Sequence, residues 1–185
     1  MPADTDRIIK ARKPTVRTPV VPEITERFSP RFFTGEPLPV DDIQTILEAA
    51  RWAPSAHNAE PWFFYWIKNG SKSFQKLLTA LPEFNSWAKT AGNLIVACYT
   101  EKNEKGINEF ARYDLGAAVL SLILQATNLK YHARQMGIFN KESVKQIIKA
   151  KEFEVPFVII ALGKIGDYKN GIRWKVSGYF QLNLI

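Results

Sequence analysis

The chain is poor in the residues that most active sites rely on. It has one cysteine, two histidines and two methionines in 185 residues. A single cysteine excludes an intrachain disulfide. Cys98 lies in the apolar run Leu94–Tyr99, which marks it as a buried, inert thiol. His57 and His132 form no ligand-spaced cluster with cysteine or carboxylates, so no metal site is expected. No Ser-His-Asp set can be assembled, because the candidate serines lack a histidine partner. No apolar stretch reaches the eighteen or so residues of a membrane span. The ten glycines never fall into a strand-G-x-G-x-x-G-helix unit or a G-x-x-x-x-G-K loop, which disfavours Rossmann and P-loop nucleotide sites. Met1-Pro2-Ala3-Asp4 brings no apolar signal core, and a cytoplasmic location is expected.

What remains is ordinary globular material, 46% hydrophobic and 23% charged, of a length that suits one domain. The net charge of +7 gathers at the ends. Arg7, Lys10, Arg12, Lys13 and Arg17 precede the domain; Lys164, Lys169, Arg173 and Lys175 follow it. Basic ends can bind nucleic acid through phosphate contacts. The aromatic–basic interleaving of single-strand binders is absent, so nucleic acid is a minor alternative.

Residues 1–22 read as an extended basic arm, broken by Pro14, Pro19 and Pro22. A helix is expected from Asp41 to Trp52, with Asp41 and Asp42 as N-cap and first-turn acids. Trp62–Ile67 reads as a strand, Ser71–Leu81 as a helix ended by Pro82, and Leu94–Thr100 as a second strand. A long helix is expected over 108–132, apolar nearly all round in its middle. Its Gly116-Ala117-Ala118 step suits either core packing or a helix–helix dimer contact. Asn140 caps a helix running to Lys149, and Val155–Leu162 is a final buried strand. Glu109 and Asp114 could pair as carboxylates, but with Arg112 between them a structural ion pair is expected. The pattern predicts an α+β sandwich: a small mixed sheet flanked by helices, with a long central buried helix.

Two segments carry candidate chemistry. In Arg27-Phe28-Ser29-Pro30-Arg31, alternate residues of an extended backbone project together, so two guanidinium groups and a hydroxyl can meet one anion. In Ala53-Pro54-Ser55-Ala56-His57-Asn58-Ala59-Glu60-Pro61-Trp62, two prolines stop the preceding helix and hold small polar side chains in a rigid loop. That loop resembles the A-P-S-x-x-N-x-Q-P-W signature of the FMN-dependent nitroreductase family. Three further segments match it in order: Arg27–Arg31 upstream, Arg134-Gln135-Met136-Gly137-Ile138-Phe139 after the long helix, and Pro156–Gly163. The resemblance covers about residues 23–165, with 166–185 as a C-terminal extension.

The resemblance implies a nitroreductase-like homodimer with FMN at the subunit interface. Arg27, Ser29 and Arg31 would hold the FMN phosphate, with Lys164 and Arg173 as weaker candidates. Pro54, Ser55, Ala56, His57 and Asn58 would meet the flavin ring or ribityl chain, and Asn85 its pyrimidine edge. Gln135, Met136 and Gly137 would face N5. Electrons would pass from NADPH or NADH to a small oxidised acceptor by a ping-pong route. A flavin-binding or flavin-modifying protein without that turnover is the alternative. The chain departs from the family at three places. Glu60 stands for the usual Gln, and Arg134 and Ile138 stand where the nearest-looking subgroup has His and Gly. The tail lacks the family's closing R-x-P.

Overall fold

The computed structural model describes residues 16–100, 102–103 and 106–166. A short helix, α1 (Pro22–Glu26), leads to α2 (Val40–Arg51). Strand β1 (Trp62–Lys68), helix α3 (Lys72–Thr79), a 3-10 segment (Glu83–Thr90) and β2 (Asn93–Tyr99) follow. A two-residue hairpin, β3 (Lys102–Asn103) and β4 (Gly106–Ile107), precedes the long helix α4 (Ala111–Asn128). Then come β5 (His132–Met136), α5 (Lys141–Ile148) and β6 (Val155–Gly163). Among the described residues, no helix is long and apolar enough to cross a membrane.

The main sheet has the order β1-β2-β6-β5. Every pairing in it is antiparallel, where a mixed sheet was expected. Hydrophobic pattern marks a buried strand but carries no signal of its direction. Alternation sorts the strands onto two cores. Ile95, Ala97, Ile160 and Leu162 face α2 and α4. Leu94, Val96, Cys98, Ile159 and Ala161 face α3, α5 and Trp87 of the 3-10 segment. Central β2 and β6 are covered on both faces, which is why both read as continuous apolar runs.

The helix expected over 108–132 is four residues shorter at its C-terminal end. Lys130 adopts a left-handed φ of 64°, and Tyr131 N–H donates back to the Ala126 carbonyl at 2.8 Å. This is a Schellman ending, reached here without the usual glycine. His132 therefore opens β5 instead of closing a helix, and the main sheet has four strands where three were expected. Pro22, read as a helix breaker, stands at the first turn of α1, where its missing N–H costs nothing. In α2 the N-cap position belongs to Pro39, and Asp41 and Asp42 act only as first-turn acids.

The long helix is not buried all round. Leu115, Ala118, Leu122 and Ala126 enter the core, whereas Tyr113 (79% exposed), Gly116 and Leu120 (52%) line its outer face. Cys98 is fully buried, and desolvation pushes its thiol up to about 12, as its place in the apolar run predicts.

Candidate functional site

The Arg27–Arg31 segment leaves α1 and crosses the outer edge of β5. Arg27 Nη1 approaches Ser29 Oγ at 3.5 Å, and Phe28 packs edge-on against His132 with ring centroids 4.6 Å apart. Arg31 lies over Trp87, 5.9 Å from the ring centroid. Arg134 lies over the same ring at 5.4 Å, and its Nη1 donates to the Ser29 carbonyl at 2.7 Å. Two arginines thus share one indole, and Arg27 and Ser29 are linked to them through the Ser29 backbone. Burial pulls the Arg31 guanidinium below its ordinary value. Burial also drives His132 down to about 4, and its Nδ1 has no partner among the described residues.

Asn85 is buried in the 3-10 segment that also carries Trp87. Lys164 is close in the chain path, since its carbonyl accepts from Thr34 N–H at 3.1 Å. Its ammonium, however, pairs with Glu36 Oε2 at 3.0 Å. Arg173 lies outside the described residues. Gln135 and Gly137 are exposed along the edge of β5, while Met136 turns into the core. A Cβ built on Gly137 meets no atom within 4 Å, so nothing in this chain requires glycine there.

The Pro54–Asn58 loop is built differently. His57, Asn58 and Glu60 all take left-handed backbone angles, with φ of 55°, 52° and 44°. Such angles cost non-glycine residues of order 1–3 kcal/mol each and persist only where the surroundings enforce them. Here the enforcement is visible. Ser55 Oγ accepts from Glu60 N–H at 3.0 Å, closing the loop on itself. Asp114, buried in the first turn of α4, accepts from Ala56 N–H at 3.2 Å. The Asp114–Arg112 ion pair expected from sequence does not form; Arg112 Nε donates to the Tyr99 hydroxyl at 2.9 Å. With the loop so fixed, His57 and Asn58 point to solvent beside a cavity of about 330 Å³ lined also by Ile107 and Phe110.

The structure does not bring these two groups together within one chain. The loop is tied to Asp114 at one end of α4, whereas Asn128 at the other end bonds Glu23 of α1, just before Arg27. Those anchor points are about 21 Å apart at 1.5 Å per helical residue. The loop also feeds β1, three strands from β5 and so about 14 Å across the sheet. Of the sequence-predicted residues, Arg27, Ser29 and Arg31 gather at β5, with Asn85 on the Trp87 segment and Gln135–Gly137 on the strand itself. Pro54–Asn58 stand apart. Two residues were missed in these roles: Asp114, read as an ion-pair member, and Arg134, noted only as a departure from the family pattern.

Known proteins agree with this architecture. The nitroreductase family model matches residues 24–83 and 72–164. A solved structure described as an oxidoreductase containing FMN superposes with a TM-score of 0.80 at 32% identity, covering 85% of this chain and 83% of that one. A protein of Archaeoglobus fulgidus with the provisional name NADH dehydrogenase/NAD(P)H nitroreductase is 27% identical over 151 residues, 80% of this chain and 86% of its own. A Methanothermobacter thermautotrophicus protein with the same provisional name is 28% identical over 78% of this chain and 76% of its own. The chain belongs to the nitroreductase family of oxidoreductases.

Proposed function

We propose that this chain binds FMN and passes electrons from NADPH or NADH to a small oxidised acceptor, such as a nitroaromatic or a quinone. The observation that carries the reading is the gathering of Arg27, Ser29 and Arg31 beside Arg134 of β5, with the exposed backbone of Gly137 three residues on from Arg134. That spacing, about 10 Å of strand, suits a phosphate at one end and a flat ring at the other. The open space over Gly137 fits a ring lying on the strand edge. When bound, FMN supplies the hydride chemistry; the protein supplies position and electrostatics. No acid–base dyad is then needed, in keeping with a histidine-poor chain.

Arg27, Ser29 and Arg31 would grip the phosphate, Asn85 the pyrimidine edge, and Gln135–Gly137 the N5 side. Lys164 and Arg173 are lesser candidates, Lys164 being engaged with Glu36. Pro54, Ser55, Ala56, His57 and Asn58 lie too far away to join the same flavin from the same chain. In a homodimer they would reach the partner's flavin. The uncovered apolar face of α4, with Tyr113, Gly116 and Leu120, supports that assembly. Donor and acceptor would share the ring in turn, a ping-pong order.

The test is the absorbance spectrum after FMN addition and desalting, followed by anaerobic NADPH or NADH. Retained flavin that bleaches, then recovers on adding a quinone, is the expected result and ranks the two donors. Retained flavin that stays oxidised indicates a flavin-binding protein without this turnover. Loss of flavin on desalting overturns the site.

A further inference from the structure

We propose that Arg134 is the third guanidinium of the anion cradle and makes the site selective for the phosphorylated flavin over riboflavin; this rests on the flavin reading above. His132, Arg134 and Met136 share one face of β5, and that face meets the Arg27–Arg31 segment and Trp87. Met136 enters the core and His132 packs on Phe28, which leaves Arg134 as the cation of this face.

Its position is held from two sides. The Ser29 carbonyl accepts from Nη1 at 2.7 Å, and the guanidinium lies over Trp87 at 5.4 Å. Arg31 lies over the same indole at 5.9 Å. An indole attracts one cation readily. An anion bound beside that indole would meet both guanidinium groups. The fork of an arginine can serve a backbone carbonyl and a phosphate oxygen together, because its five N–H donors point in several directions. Ser29 is thereby engaged twice: its carbonyl by Arg134, and its hydroxyl by Arg27 at 3.5 Å. The second contact orients the serine hydroxyl that would also meet the phosphate. Arg134 supplies charge from a sheet strand, the most rigid element nearby.

The experiment compares FMN with riboflavin, which differ only by the phosphate, in flavin-fluorescence titrations of the flavin-free protein. Wild type should prefer FMN. Arg134→Gln keeps an amide donor for the Ser29 carbonyl and removes the charge. It should cut that preference about tenfold, the scale of one charge-assisted hydrogen bond, with riboflavin affinity and melting temperature unchanged. Arg134→Lys keeps a positive charge and should recover part of the preference. An unchanged preference in the Gln variant overturns the proposal, as does a parallel loss of both flavins or equal behaviour of Gln and Lys. Wild type binding both flavins equally also overturns it, together with the phosphate role of Arg27, Ser29 and Arg31, while leaving flavin binding itself in place. Wild type binding neither flavin removes the flavin reading itself.

Discussion

The Arg27–Arg31 segment and the Pro54–Glu60 loop both present polar groups to solvent, and they are held by opposite means. The first is an extended backbone laid over a sheet edge, with Arg31 over Trp87 and the Ser29 carbonyl accepting from Arg134, which lies over the same ring. The second is a tight turn with three left-handed non-glycine residues, kept in shape by Ser55 and the buried carboxylate of Asp114. Charge with little strain marks one; strain with little charge marks the other. A phosphate needs converging cations, whereas a ring edge needs rigid backbone and small polar groups. The two regions suit the two ends of one mononucleotide. They lie too far apart in a single chain to hold the same molecule, so under the proposed flavin reading a second chain would have to supply the loop.

The most severe test of the proposed two-chain arrangement is to block its contact face. Leu120→Arg places a charge on the exposed face of α4 and is expected to give a monomer by analytical ultracentrifugation. Flavin retention should fall with it, because the Pro54–Asn58 loop is lost from each site. A monomer that keeps its flavin would break the two-chain comparison.

Removing charge from the first region comes next. Arg31→Ala is expected to weaken FMN binding by about 3 kcal/mol and the exposed Arg27→Ala by about 1.5 kcal/mol, the range for hydrogen bonds to charged groups. Calorimetric titration measures both, and equal effects would show that burial of Arg31 is irrelevant to its role.

The strand under the first region also carries a pH signature. His132 is depressed from 6.5 to about 4 by burial. The unfolded chain therefore binds a proton that the folded chain refuses. Stability is intact above pH 6.5 and falls as the pH drops toward 4, by about 2–3 kcal/mol from this residue. Urea unfolding of wild type and His132→Phe across that window should show the dependence in the former and its reduction in the latter.

Strain is the handle on the second region. Asp114→Asn replaces a charged acceptor at the Ala56 N–H by a neutral one and should cost about 1–2 kcal/mol in urea unfolding. FMN and riboflavin should lose affinity equally, because the ring end is affected and the phosphate end is not. A selective loss of FMN would assign Asp114 to the wrong end. The smallest effect is expected at Lys164, whose exposed pair with Glu36 should contribute below about 1 kcal/mol. Lys164→Ala should leave FMN affinity within about twofold, by the same reasoning for exposed charges.

Local sequence was sufficient for much of this. The apolar runs of β1, β2 and β6 and the stripes of α2 and α3 are visible as periodicity, because burial acts on each side chain at its own position. Asn140 is legible as a cap, since capping depends on a few adjacent residues, and Ser71, read as the first helical residue, proves to be one too. Strand β5 was hidden: His132-Ala133-Arg134-Gln135-Met136 has neither alternation nor an apolar run, because its arginine and histidine lie against Trp87 and Phe28 instead of water. The left-handed ending at Lys130 was equally silent, since lysine carries no turn signal.

The sequence alone marked Arg27, Ser29 and Arg31 as candidates for an anion and the Pro54–Asn58 loop as a candidate for a flat ring, because residue type and local backbone chemistry point that way. Only the tertiary structure decided which of them meet. Arg134 joins Arg31 through a shared indole more than forty positions away from either of them, and Asp114 reaches the Ala56 N–H across fifty-eight positions. The order β1-β2-β6-β5 then sets the cradle and the loop at opposite edges of the sheet. Contacts between residues so distant along the chain arise from packing the whole fold, and no local pattern encodes them.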